Sequence, residues 1–167
     1  MHTVYLSIGS NLGERFETIQ SAITKIQERI GKVIAISNIY ESEPLGFDSN
    51  DKFLNVCIQI TTNLSAENLL DEIHSIEFEA GRVRLINGIY CSRPLDIDII
   101  FYNKLIIKTD RLNVPHPHYH KRLFVLMPMA DLIPDFSDPI NGQTIIDLIE
   151  KCPDNSKLSL FKMTLKI

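Results

Sequence analysis

Arg93-Pro94-Leu95-Asp96-Ile97-Asp98-Ile99-Ile100-Phe101-Tyr102 is the stretch on which the reading turns. From Leu95 to Tyr102 the residues are β-formers without helical spacing, so the segment reads as a strand. Alternate side chains of a strand share a face, which puts Asp96 and Asp98 together and Ile97 and Ile99 opposite them. Two adjacent carboxylates repel, and each loses hydration if the strand packs into a core. A divalent cation between them relieves both costs. Hard oxygen ligands at this spacing suit Mg²⁺, which takes one or two carboxylates and completes its shell with water and substrate phosphates. Such a pair also occurs on solvated faces; the apolar neighbours favour the partnered reading, because buried carboxylates need partners.

Worked outward, this is the fourth strand along the chain, which contains two βα halves but no true repeat. Val4 to Gly9 reads as a first strand, and Ser10-Asn11-Leu12-Gly13 as a tight turn with helix-start character. Phe16, Ile19, Ile23, Ile26 and Ile30 recur at helical spacing until Gly31. Val33–Tyr40 is a second strand, Glu43–Asp51 a loop, and Phe53–Thr62 a third strand. Ser65 caps a helix carrying Leu69, Ile73, Ile76 and Phe78. Gly81–Arg93 has no periodicity and is long for an internal connection, as functional loops are. After the fourth strand, Asn103-Lys104 turns into a hairpin with Leu105-Ile106-Ile107. Helices follow at Arg122–Leu132 and Thr144–Lys151. The order strand, helix, strand, strand, helix, strand is that of a ferredoxin-like α+β sandwich with a mostly antiparallel sheet.

At 167 residues the chain suits one domain, 1–167, able to bury a proper core. A net charge of −4 argues against non-specific nucleic-acid binding. The three cysteines form no Cys-x-x-Cys pair, which fits a reducing cytosol rather than a disulfide framework. The N-terminal segment lacks a basic leader, and no apolar run approaches the roughly 18 residues of a membrane span. The expectation is a cytoplasmic protein.

Further residues carry chemistry. Arg82, Arg84 and Arg93 lie on the irregular loop leading to the aspartates, with Arg111 and Arg122 beyond. Guanidinium groups bind phosphate bidentately and stay charged when desolvated, so the loop suits a polyphosphate clamp; an ordinary solvated loop is the plainer alternative. His116, His118 and His120 alternate and could bind zinc. With prolines stiffening the run and no carboxylate or cysteine beside it, His116 reads as a phosphate donor and the other two as surface residues. Gly9–Gly13 lacks the Gly-Lys-Ser/Thr ending of a P-loop. Phe53 and Asn55 share a strand face and could stack on and hydrogen-bond a flat heterocycle, with Phe124 as a second ring. Taken alone, a core Phe and a structural Asn are the better account of Phe53 and Asn55, and core packing also accounts for Phe124.

Together these pieces resemble the 6-hydroxymethyl-7,8-dihydropterin pyrophosphokinase family. The resemblance runs through Ile8-Gly9-Ser10-Asn11-Leu12-Gly13, Tyr40-Glu41-Ser42-Glu43-Pro44-Leu45-Gly46, Phe53-Leu54-Asn55 and Ile76-Glu77. It continues through Gly81-Arg82-Val83-Arg84, Arg93–Asp98, Val114-Pro115-His116-Pro117 and Arg122-Leu123-Phe124-Val125-Leu126. It implies an α/β/α sandwich that moves pyrophosphate from ATP to the pterin hydroxymethyl group and releases AMP, in folate biosynthesis. Asp96 and Asp98 would hold two Mg²⁺ ions. Arg82, Arg84 and Arg93 would join them in catalysis. His74, Glu77, Ile99, Arg111, His116 and Arg122 would lie on the nucleotide side, again with Arg84 and Arg93. Ser42, Leu45, Phe53, Asn55, Tyr90 and Phe124 would line the pterin pocket, and the loop from Arg82 to Arg93 would close over both substrates. The implied protein is a stand-alone monomer whose partners are these small molecules, with neither nucleic acid nor membrane.

The family usually carries Trp-Gly-Pro-Arg before the aspartates; here the residues are Tyr90-Cys91-Ser92-Arg93. Tyr90 stacks over a smaller area, and losing Gly and Pro alters the hinge, so closure and product release are the properties affected. Two other readings remain at this point. One is a different Mg²⁺-dependent phosphotransferase or hydrolase on the same scaffold. The other is a non-catalytic module binding RNA or a partner protein, which the paired carboxylates disfavour.

Overall fold

The structure, a computed structural model, describes residues 1–43, 51–81 and 94–167. Strand β1 (His2–Ser10) is central, with β4 (Phe53–Thr62) antiparallel on one side and β5 (Asp96–Tyr102) antiparallel on the other. Beyond β4 lie β3 (Tyr40–Ser42) and β8 (Ser159–Leu160), while β2 (Gly31–Ile36) pairs with another part of β4. All these pairings are antiparallel.

Alternation along the strands builds two cores. Leu6, Ile8, Val56, Ile58, Ile97 and Ile99 face helices α1 (Arg15–Arg29) and α2 (Ala66–Glu79). Tyr5, Cys57, Ile100 and Phe101 face α3 (Leu123–Leu132) and α4 (Ile145–Glu150). The result is the expected α+β sandwich, with a helical layer on each side of the sheet. Ile19, Leu6 and Ile73 are fully buried; each contributes about 1.5–3 kcal/mol of apolar transfer.

Helix ends follow local chemistry. Ser65 accepts from the Asn68 amide at 3.3 Å, and Thr144 with Asp147 forms a capping box over α4. At the end of α1 the Ile30 carbonyl, one of the groups a helix leaves unpaired, accepts from Thr62 Oγ1 at 2.7 Å. Gly31 permits the abrupt turn into β2, because a Cβ there would lie 2.2 Å from the Thr61 carbonyl oxygen. Among the described residues no helix is long and apolar enough to cross a membrane.

Two expectations need correction. Val33–Tyr40 is not one strand; it breaks into β2 and β3 around Ser37–Ile39. The Ser37 amide still donates to the Cys57 carbonyl at 2.9 Å, but the Cys57 amide goes to the Ser37 hydroxyl at 2.9 Å and the Asn38 amide turns to Asp131, so side chains take the amides that would continue the ladder. Leu105–Ile107 does not fold back on β5 either. Instead β6 (Ile107–Lys108) pairs with β7 (Asn113–Val114) in a separate small sheet. The outer groups of β5 have other partners: Glu77 takes the Ile97 amide, and the Ile100 carbonyl takes the His116 amide.

Candidate active site

Register across the sheet assembles the site. Asp96 pairs with Gly9, Gly9 with Asn55, and Asn55 with Tyr40; in the next row Asp98 pairs with Ser7, and Ser7 with Cys57. Directly opposed residues share a face, so Asp96, Asp98, Gly9, Asn55 and Phe53 all point to the α3 side. Two strand spacings put Asp96 and Asn55 about 10 Å apart at Cα. Gly9 lies between them and has no side chain, which leaves a flat slot.

At one end of the slot, Asn55 is fully oriented. Its amide nitrogen donates to Ser42 Oγ at 2.7 Å and reaches the Tyr40 carbonyl at 3.5 Å. The acceptor end, Oδ1, therefore overhangs Gly9, 3.4 Å from where a Cβ would stand. Asn55 and Ser42 are both buried, so this orientation is not averaged by water. Tyr40 is anchored in turn by its hydroxyl, which donates to Asp131 of α3 at 3.1 Å.

The other end is a charged corner. Arg122 Nη1 donates to Asp98 Oδ2 at 3.5 Å, and His116 Nε2 lies 3.8 Å from the same oxygen. His116 Nδ1 accepts the His118 amide at 3.1 Å, so its ring presents Nε2–H toward the corner. Burial, and then the nearby Arg122 charge, push the His116 pKa down to about 4, so it is a neutral donor there. A register shift in β5 puts both Ile100 and Phe101 on this face, and the Ile100 carbonyl holds the His116 amide at 3.1 Å. The Val114–Pro115 peptide just before it is cis. Ser10 Oγ donates to the Pro94 carbonyl at 2.5 Å, and buried Glu77 accepts the Ile97 amide at 2.9 Å. These two bonds clamp the strand on either side of Asp96.

The structure thus brings together Asp96, Asp98, His116, Arg122, Ser42, Phe53 and Asn55. Phe124, in the first turn of α3, has its ring 6.0 Å from the Arg122 guanidinium carbon. Glu77 faces the back of β5. Ile99 buries its side chain in the opposite core, so only its backbone is available to a ligand. Arg111 is engaged by Glu67 at 3.1 Å and by Asp71, in the first two turns of α2; these two residues lie roughly 15 Å and roughly 9 Å along the helix from Glu77. His74 is half-buried on α2, His118 is exposed and His120 half-buried. Leu45, Arg82, Arg84, Tyr90 and Arg93 lie outside the described residues. The sequence reading missed Gly9 as the slot floor and Tyr40–Asp131 as its brace. Strand register would have revealed the first; no local signal marks the second. Among the described residues no three His, Cys, Asp or Glu side chains gather at one point.

Comparison with known proteins identifies the family and the fold. Residues 5–134 match the family model described as 7,8-dihydro-6-hydroxymethylpterin-pyrophosphokinase. A 2-amino-4-hydroxy-6-hydroxymethyldihydropteridine pyrophosphokinase of Pseudomonas aeruginosa is 40% identical over 152 residues, covering 90% of this chain and 91% of that one. The protein of the same name from Porphyromonas gingivalis is 39% identical over 136 residues, 80% of this chain and 92% of its own. The folic acid synthesis protein fol1 of Pneumocystis carinii is 40% identical over 152 residues, but this chain spans only 20% of its length. A Plasmodium falciparum HPPK-DHPS crystal structure superimposes with a TM-score of 0.74 over 90% of this chain and 43% of that chain; at 16% identity it speaks to fold alone. The chain belongs to the 7,8-dihydro-6-hydroxymethylpterin-pyrophosphokinase family, and with it to the transferases.

Proposed function

We propose that this chain transfers the terminal pyrophosphate of ATP to the hydroxymethyl group of 6-hydroxymethyl-7,8-dihydropterin, releasing AMP, as a step of folate biosynthesis. The observation that carries the reading is the cross-strand row Asp96–Gly9–Asn55, which sets a carboxylate corner and an oriented amide at the two ends of one flat slot. A planar pterin fits the slot: Asn55 Oδ1 accepts from a ring N–H, and Phe53 with Phe124 offers aromatic faces. Its hydroxymethyl arm then points along the row toward Asp96.

The donor set suits magnesium. Asp96 and Asp98 are half-buried carboxylates on one strand face, and Mg²⁺ takes one or two such ligands. Bound there, two Mg²⁺ ions would neutralise the triphosphate and orient the attacking and leaving oxygens. The chain's own groups do the rest. Arg122 and neutral His116 donate to phosphate oxygens around Asp98, and Arg82, Arg84 and Arg93 would complete the clamp. The alcohol oxygen bonds to the β-phosphorus as the bond from that phosphorus to the bridging α-phosphate oxygen breaks. AMP keeps the electron pair, and the alcohol proton passes to solvent. Positioning and charge stabilisation supply most of the acceleration. The protein acts as a monomer in the cytosol.

Product analysis tests this directly. The protein is mixed with Mg-ATP, with and without the pterin, and nucleotides are separated. Pterin-dependent AMP, matched by pyrophosphorylated pterin, is expected. ADP or free phosphate would assign another phosphotransfer class to the same corner, and absence of turnover with both substrates bound would reject the activity.

A further inference from the structure

We propose that Asp154, in the C-terminal segment beyond the family match, is a positioning residue for the transfer reaction proposed above. It holds the first turn of α3 and thereby sets Arg122 and Phe124. That turn has no cap of its own, because the residue at the cap position is Arg122, whose side chain bonds none of the turn's amides. The Leu123 amide, flanked by Arg122 and Phe124, donates instead to Asp154 Oδ2 at 2.9 Å, across 31 residues of sequence. The other oxygen of Asp154 accepts the Ser156 amide at 2.9 Å and also the Ser156 hydroxyl. The carboxylate is therefore fixed at both oxygens, at the end of a helix where negative charge is favoured.

The segment that delivers Asp154 is itself tied down. Phe161 N donates to the Ile39 carbonyl at 2.9 Å, and β8 pairs with β3, the strand that carries Ser42. Leu165 is buried in the α1/α2 core. Gln20 exchanges two hydrogen bonds with the Lys166 backbone, at 2.8 and 2.9 Å. One strap thus reaches from the strand beside Asn55 to the helix start beside Asp98. Without the Asp154 bond the first turn of α3 frays. Arg122, already at 3.5 Å from Asp98, and Phe124 lose their placement together.

The test is a double-mutant cycle with a spectroscopic arm. Asp154→Ala and Asp154→Asn are made in the wild-type chain and in Arg122→Ala. Steady-state kcat and KM for pterin-dependent AMP formation are measured, and ¹⁵N–¹H spectra record the Leu123 amide and the Arg122 Nε–H. Loss of a cap typically shifts such a balance about fivefold. Asp154→Ala is expected to lower kcat/KM by about that factor while the melting temperature falls by only the roughly 2–4 °C that a lost cap costs. Asparagine, which still accepts the Leu123 amide, recovers most of it. In the Arg122→Ala background the alanine substitution costs clearly less, because only the placement of Phe124 is then left to lose. Equal losses in both backgrounds would overturn the proposal. If the wild-type chain makes no AMP, the functional reading fails separately and the spectra decide. The Leu123 and Arg122 signals must then both shift in Asp154→Ala and return in Asp154→Asn; a stationary Arg122 signal rejects the coupling. Should Asp154→Ala not fold, Ser156→Ala loosens the same carboxylate and is expected to move both signals in the same sense; unmoved signals refute the idea.

Discussion

Substituting Gly9 by alanine separates a slot floor from an ordinary strand residue. The backbone of Gly9 lies outside the left-handed region, so alanine meets no conformational penalty. In a strand it gains roughly 0.5–1 kcal/mol over glycine by losing less chain entropy. The new Cβ would sit 3.4 Å from Asn55 Oδ1, 3.8 Å from Phe53 Cδ1 and 3.9 Å from the Leu54 carbonyl. Those are close but tolerable contacts, so the melting temperature should hold or rise by a few degrees. The methyl projects into the space where the planar ring would lie between Asn55 and Asp96. Forcing such a group into a packed contact costs about 1–3 kcal/mol, which is roughly a 5- to 150-fold weaker pterin dissociation constant. Calorimetric titration with the pterin, in the presence of Mg²⁺ and a non-hydrolysable ATP analogue, reads this directly. A folded Gly9→Ala variant that binds pterin within twofold of wild type would refute the placement of the ring over Gly9. A variant destabilised by several kcal/mol would refute the strand register from which the slot was derived.

Other perturbations follow from the same geometry. Asp96→Ala and Asp98→Ala should abolish AMP formation while leaving far-UV circular dichroism unchanged, since both are half-buried and outside the two cores; substantial activity in either purified variant would contradict a metal-holding role. His116 has a folded pKa near 4 against roughly 6.5 in the unfolded chain. The unfolded state therefore takes up the proton first as pH falls, so metal-free protein should lose up to about 3 kcal/mol between pH 6.5 and 4 and stay flat above. His116→Gln should flatten that slope, and an unchanged slope in urea titrations would exclude His116 as its source. Gly31→Ala forces a Cβ against the Thr61 carbonyl oxygen at 2.2 Å. The α1–β2 junction must shift, and denaturant unfolding should show a loss of about 2 kcal/mol or more; a neutral result would mean that the junction is looser than the structure implies.

Much of the fold was legible because its signals are local. Strand β4 occupies Phe53–Thr62 as read, and the 3.6-residue spacing of Ile19, Ile23 and Ile26 places them in the core as α1. Ser65 caps α2 through its own hydroxyl. The errors fall where distant groups intervene. Ser37 and Asp131 break a segment whose β propensity is continuous. Glu77 and His116 engage the outer groups of β5, so the apolar Leu105–Ile107 has no ladder to join there. The C-terminal strap carried no readable pattern, since β8 contributes two residues and its anchors are single contacts.

Along the chain alone, Asp96 and Asp98 share a face, Phe53 and Asn55 share another, and the motifs resemble one family of pyrophosphokinases. Strand alternation is a two-residue period, and a motif is a string; neither needs a partner to be read. That those two faces are one follows from how the strands pack together. The register of β1 between β4 and β5 aligns Asn55, Gly9 and Asp96 in a row. Arg122 and His116 converge on Asp98 from residues 18 to 24 positions downstream, and Asp154 braces them from further still. Register and convergence arise from packing between segments far apart in the chain, where no local periodicity records them.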